Sequence, residues 1–149
     1  MTAQNPTRTA PPTSRRAGYV ATAVVDLVLL YLVNEWPGWQ SLPFLTDGMT
    51  DVLGLVNLSL VAPLVVNLVW LLYDPAWFTA ACQVGLSVVS LAVSIALLRV
   101  FPFDFSAYAF DWALLTTVVL WVAVLGSSVS IVVWFVRLVR AVVAPTARV

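Results

Sequence analysis

The chain has 149 residues, of which 62% are hydrophobic and only 9% are charged, and its seven basic residues balance seven carboxylates. A soluble domain of this size cannot cover so much apolar surface with so few polar groups, so the composition excludes a water-soluble fold. The lack of a basic excess excludes nucleic acid as a partner, and the lack of histidine and lysine with a single cysteine excludes histidine-bound metals, Schiff-base chemistry and intramolecular disulfides.

Four apolar segments follow one another along the chain, each long enough to cross a hydrocarbon core of about 30 Å. Before them, residues 1–16 are rich in threonine, proline and alanine and predict a flexible cytoplasmic tail. The predicted helices, within a transmembrane domain over 17–142, are residues 17–35, 51–73, 76–101 and 112–141. Residues 143–149 are predicted to form a short C-terminal tail. The predicted fold class is an all-α integral membrane protein, an antiparallel bundle of four transmembrane helices.

Arginine positions indicate which side of the membrane each end occupies. Six of the seven arginines lie before the first apolar segment or at and beyond the end of the last, namely Arg8, Arg15, Arg16, Arg137, Arg140 and Arg148. Because cytoplasmic segments carry the excess of positive charge, both termini are predicted to be cytoplasmic. The heavy use of alanine, valine and arginine without lysine favours a GC-rich bacterial genome, and hence the cytoplasmic (inner) membrane of a bacterium.

Asp26 lies near the middle of the first predicted helix, roughly 15 Å from either membrane edge. An acid at that depth costs roughly 2.5 to 3.5 kcal/mol on insertion scales and usually faces a bundle interior or an aqueous path. Each other helix carries a polar side chain at a similar depth of ~9 to 15 Å from its cytoplasmic end. We therefore predict an intramembrane polar cluster, in which a threonine one turn earlier donates its hydroxyl to the acid. The members are Asp26, Thr22, Asn67, Gln83, Ser127 and Ser130.

Small residues also form a helix-packing stripe on each of the last two predicted helices. Their offsets of three, four and seven residues place them on one side of each helix, beside members of the polar cluster. Such stripes let membrane helices approach closely and hydrogen-bond across the seam. A wetted pathway lined by serines is the alternative interpretation. The stripe residues are Ser87, Ser90 and Ser94 on the third helix and Thr116 and Ala123 on the fourth.

Pro63 lies inside the second predicted helix. It removes one backbone hydrogen bond and frees the carbonyl of Ser59, one turn earlier, so a kink near mid-membrane is predicted. Asn67 lies one turn beyond Pro63 on the same face. The kink and the amide together could shape a small polar cavity opposite Asp26.

These features favour a small accessory or assembly subunit, or a self-associating helical bundle, surrounded by the lipid bilayer. Its expected partner is a second copy or a larger membrane-protein complex. The sequence has no histidine, no Ser-Lys pair, no phosphate-binding loop and no second acid at the depth of Asp26, so we predict no enzyme activity, metal or cofactor. The alternative is a proton- or cation-conducting oligomer or minimal transporter that uses Asp26 as a titratable site.

Overall fold

The computed structural model describes residues 12–143. Within that range it contains four long helices, each apolar enough to cross a membrane, and no β-strand. The prediction of an all-helical protein with four membrane-spanning helices is therefore confirmed. The helices are α1 (Pro12–Asn34), α2 (Met49–Trp70), α3 (Ala76–Val100) and α4 (Trp112–Val143), and a single 3₁₀ turn occupies Trp39–Ser41.

The first helix begins earlier than the sequence predicts. Pro12 is its first residue, a position that suits proline because the first amide of a helix has no intrahelical partner. Residues 12–16 of the predicted tail are therefore helical, whereas residues 1–11 lie outside the described range. The fourth helix continues to Val143, and the remainder of the predicted C-terminal tail, 144–149, is also outside that range.

The helices pack in chain order. Helix α1 packs on α2, α2 on α3, and α3 on α4, whereas α1 contacts neither α3 nor α4 and α2 does not contact α4. The most extensive of these contacts joins α3 and α4. The four helices thus form an open row in which the first and the last do not meet, and the predicted bundle arrangement is not confirmed among residues 12–143.

The connections α1–α2 and α3–α4 meet at one end of the row, which we call the loop end. The backbone N–H of Thr46 donates to the carbonyl of Pro102 at 3.0 Å, and that of Asp104 donates to the carbonyl of Phe44 at 2.8 Å. These two bonds form a short antiparallel bridge between the connections. The start of α1 and the end of α4 consequently both lie at the opposite end of the row, although the two helices do not contact each other.

A small apolar core lies beneath this bridge. Trp39, Met49 and Val52 are buried, and the side chain of Val52 is only 2% exposed. Gly38 makes the turn into this core possible because its φ of 79° is one that L side chains rarely adopt. Half-buried neighbours complete the core: Val33, Leu45, Leu53, Val56, Ala96 and Leu97. The loop end is therefore held together by side-chain packing as well as by backbone hydrogen bonds.

Candidate functional site

The seam between α3 and α4 is joined by two pairs of serines. The hydroxyl oxygens of Ser87 and Ser130 are 2.9 Å apart, and Ser127 donates its hydroxyl to that of Ser90 at 3.0 Å. Ser87 already donates its only hydroxyl hydrogen to the carbonyl of Gln83 at 2.8 Å, so Ser130 is the donor in the first pair. Small side chains let the two helices approach closely enough for these bonds to form.

The packing stripe on α3 has a seven-residue period. Ala80, Ser87 and Ser94 are all buried, and the Ser94 hydroxyl donates to the carbonyl of Ser90 at 2.8 Å. On α4 the residues of the predicted stripe, Thr116 and Ala123, are half-buried. A period of seven residues keeps one side of a helix against its neighbour over its whole length.

Two polar grooves open on the same side of α3. The groove between α2 and α3 has a volume of about 350 Å³, and the groove between α3 and α4 about 340 Å³. Both are lined by Leu86 and Ser90, so they adjoin, and we treat them together as the serine groove. Its other lining residues are Ser59, Pro63, Gln83, Ser87, Val89, Val93, Ser94, Gly126, Ser127 and Ser130.

In the serine groove, the side-chain amide of Gln83 has no hydrogen-bond partner among residues 12–143. This amide can donate two hydrogen bonds and accept two. The residue lies seven positions after the start of α3, roughly 10 Å along the helix axis. An amide left bare in hydrocarbon costs several kcal/mol. A polar group placed in this groove would therefore satisfy the Gln83 amide.

Asp26 lies on the side of α1 that packs on α2. Asp26 lies on the same side of α1 as Tyr19 and Asn34, both of which contact α2. Its side chain is 8% exposed. Its Oδ2 atom has no hydrogen-bond partner within the described part of the chain. The predicted bond from Thr22 is wrong, because the threonine hydroxyl donates to the carbonyl of Gly18 at 3.1 Å. Hydroxyl side chains inside helices commonly bond to the carbonyl one turn earlier.

Asn67 and Pro63 are linked within α2. Asn67 is buried, and its Nδ2 donates to the carbonyl of Pro63 at 2.8 Å. The amide is thus directed toward its own helix and makes no hydrogen bond to Asp26. Pro63 lines the serine groove together with Ser59, whose carbonyl it deprives of a helical partner. The helix continues through Pro63 to Trp70, and the kink stays a prediction.

The residues of the predicted polar cluster fall into two separate groups. Asp26 and Asn67 lie on α1 and α2, whereas Gln83, Ser127 and Ser130 lie at the serine groove. Since α1 contacts neither α3 nor α4, the single cluster drawn from all four helices is wrong. Counting residues gives the depth of a side chain but not the direction in which it points. The serine seam, which holds Ser127 and Ser130, belongs to α3 and α4 alone.

A reciprocal pair of amides joins α1 and α2, and its residues are not among those predicted from the sequence. Asn34 and Asn57 exchange two amide hydrogen bonds, of 2.7 and 2.8 Å, and Asn34 also donates to the carbonyl of Leu30 at 3.0 Å. Asn34 is the last residue of α1, whereas Asn57 lies eight residues after the first residue of α2, so counting residues outward from the α1–α2 connection does not predict the pair.

Asp74, in the α2–α3 connection, links α1 and α3 at the end opposite the loop end. Its carboxylate accepts hydrogen bonds from Tyr19 of α1 at 3.1 Å and from Thr79 of α3 at 2.7 Å. The ring of Tyr19 lies 5.4 Å from that of Trp70, the last residue of α2. Trp70 is buried, and its neighbour Cys82 is half-buried with a free thiol. This end is thus stabilised by local contacts around the short α2–α3 connection.

The chemistry available in this arrangement is hydrogen bonding within a membrane. Among residues 12–143, no three carboxylate, histidine or cysteine side chains lie close enough together to hold a metal ion. The serine groove offers the Gln83 amide, which has no partner among residues 12–143, and the carbonyl of Ser59, which Pro63 deprives of a helical partner. Comparisons with protein-family models, with curated proteins and with solved structures find no match to this chain.

Proposed function

We propose that this chain is a non-catalytic, self-associating membrane protein whose serine groove is covered by a second copy. The observation that carries the proposal is the unpaired amide of Gln83 in a groove between membrane-spanning helices. Lipid tails cannot satisfy this amide. In a two-fold symmetric contact the same patch faces itself, and an amide is suited to this because it both donates and accepts. Asn34 and Asn57 already form such a reciprocal amide pair within the chain.

The small residues of the groove also favour a protein partner over lipid. Gly126 lines the groove and a Cβ atom built on it meets nothing within 4 Å, so a neighbouring helix could approach this point closely. The serine pairs between α3 and α4 are satisfied internally, so they shape the groove rather than supply its free polar groups. An accessory role follows if a larger membrane complex presents an equivalent surface.

The test compares two glycine substitutions that differ only in location. Gly126→Leu fills the groove, whereas Gly85→Leu adds the same side chain on α3 at a position that lines neither groove. Both glycines face open space, so each substitution is expected to leave the monomer folded. We expect light scattering in mild detergent to give a dimer mass for wild type and Gly85→Leu, and a monomer mass for Gly126→Leu. Dimers of equal stability in all three proteins, or none in any, would overturn the proposal.

We also propose a bacterial cytoplasmic membrane as the location, with the start of α1 and the end of α4 on the cytoplasmic side. In the described chain, Arg15, Arg16, Arg137 and Arg140 lie at that end. The loop end carries one arginine, Arg99, among several carboxylates. This distribution of charge agrees with the excess of arginine expected on the cytoplasmic side.

A second candidate function is proton or cation conduction through Asp26. The observation in its favour is the buried Oδ2 atom, which has no partner within residues 12–143 and could take up and release a proton or contact a cation. In reconstituted liposomes we expect Asp26→Asn to lower ion flux at least tenfold, because an amide does not titrate, and Asp47→Asn in the loops to leave it unchanged. If flux is absent in wild type, or is the same in Asp26→Asn, conduction through Asp26 is ruled out.

A further inference from the structure

Four aromatic side chains line an open cavity at the loop end, which we call the aromatic pocket. Its walls are Phe44 of the first connection, Phe105 and Tyr108 of the second, and Trp112, the first residue of α4. The cavity measures about 400 Å³, which lies within the usual range for small-molecule sites of roughly 300 to 1,000 Å³. The backbone bond from Asp104 to Phe44 ties the two connections together beside it. The pocket is thus part of the folded structure of the loop end.

Three of the four rings of the aromatic pocket contact one another, and the fourth, Trp112, contacts Phe110. Phe44 and Phe105 stack at 5.8 Å with an angle of 21° between their planes, and Tyr108 meets Phe105 edge-on at 6.3 Å. Phe103 stacks almost parallel to Phe105 at 5.9 Å. Aromatic faces are electron-rich, and such faces attract cations that come within about 6 Å of the ring centroid.

The charged side chains near the pocket also favour a positively charged ligand. Asp104 directly precedes Phe105, and Asp111 directly precedes Trp112. The backbone N–H of Ser106 donates to Asp104 at 2.9 Å and lowers the pKa of this carboxyl, which is therefore ionised at neutral pH. The loop end as a whole carries five carboxylates against one arginine, namely Glu35, Asp47, Asp51, Asp104, Asp111 and Arg99. Anions are repelled from such a surface and cations are attracted to it.

We propose that the aromatic pocket binds a quaternary ammonium group, of the trimethylammonium type. A primary ammonium would lose three hydrogen bonds to water, and ring carbons cannot replace them. A quaternary ammonium has no N–H group to satisfy and presents methyl groups to the rings, as in the aromatic cages known for such ligands. The group can belong to a free solute or to a choline lipid headgroup. The proposal is independent of self-association, because the pocket and the serine groove share no lining residue.

The probe is phenyltrimethylammonium, and its control is tert-butylbenzene, a neutral molecule of the same shape. Binding is measured by calorimetry on wild-type protein in a maltoside detergent, with protein-free micelles subtracted. We expect the cation to bind about tenfold more tightly than the neutral molecule, since cation–aromatic attraction acts only on the cation. Displacement by choline alone would identify a solute as the source, and displacement by phosphatidylcholine a lipid.

Two matched substitutions locate the binding. Phe105→Leu removes a ring of the pocket but keeps an apolar side chain, and we expect it to weaken cation binding at least fivefold. Phe135→Leu makes the same change on an exposed part of α4 and should have no effect. If Phe105→Leu fails to fold, Asp104→Asn serves instead, with a twofold to threefold weakening expected at low salt. Equal affinity for the cation and the neutral molecule, or unchanged binding in these pocket variants, would overturn the proposal.

Discussion

At the scale of single residues, amides dominate the polar chemistry of the membrane-spanning segments. Asn34 and Asn57 satisfy each other, Asn67 is satisfied by its own helix, and Gln83 is left without a partner within the described chain. The sequence identified Gln83 and Asn67 as intramembrane polar residues because their depth can be counted. It did not show which of them would be satisfied, since that depends on the direction of each side chain.

The Asn34–Asn57 pair is expected to stabilise the contact between α1 and α2. Asn34→Leu leaves Asn57 with an unpaired amide. Hydrogen bonds between membrane helices average roughly 0.6 kcal/mol and reach roughly 1.7, and because this pair makes two bonds, we expect the free energy of unfolding to fall by about 1 kcal/mol. The measurement is unfolding of the detergent-solubilised protein in increasing concentrations of a denaturing detergent.

The double variant Asn34→Leu/Asn57→Leu is the control for this expectation. With both amides removed no polar group is left bare, so its loss of stability should be smaller than the sum of the two single losses. Strictly additive losses would show that the two asparagines act independently and would contradict the role of the pair.

At the scale of helices, length and apolar character were sufficient to predict four membrane-spanning elements, but not where each one ends. Helix α2 ends at Trp70, three residues before the predicted boundary, shortly before Pro75, which disfavours helical geometry in the residue that precedes it. Helix α3 ends at Val100, and Phe101 adopts a positive φ of 44° immediately before Pro102. These ends are determined by turn geometry, which apolar composition does not report.

The α3–α4 seam is expected to depend on serines that bond across it. Ser87→Ala removes the acceptor of Ser130, and we expect a loss of about 0.6 kcal/mol in the free energy of unfolding. Ser87→Leu should cost more, about 1 to 3 kcal/mol, because Ser87 is buried and a larger side chain would push the helices apart. The same unfolding measurement in detergent checks both values.

Ser128→Ala is the matched control on α4. Ser128 donates only to the carbonyl of Val124 in its own helix, so removing its hydroxyl breaks no contact between helices. We expect a change within about 0.3 kcal/mol, which is below the average of roughly 0.6 kcal/mol for bonds between membrane helices. A loss for Ser128→Ala equal to that for Ser87→Ala would show that the cross-seam bonds contribute nothing of their own.

At the scale of the whole molecule, the open row of helices is the feature that composition could not predict. Every helix is apolar enough to face lipid, so nothing in the sequence required α1 and α4 to meet. The row leaves the serine groove uncovered on one side and places the carboxylate-rich loops at one end. Both surfaces are suited to a partner: the groove to a second copy, and the aromatic pocket to a cation.

The most direct test of self-association is cross-linking in native membranes. Cys82→Ala removes the only cysteine, after which Gly126→Cys places a thiol in the serine groove and Gly85→Cys places one outside it. With a short bifunctional thiol reagent, we expect a covalent dimer for Gly126→Cys and only monomer for Gly85→Cys. Monomer alone for Gly126→Cys, or a dimer formed equally well by both variants, would contradict the account.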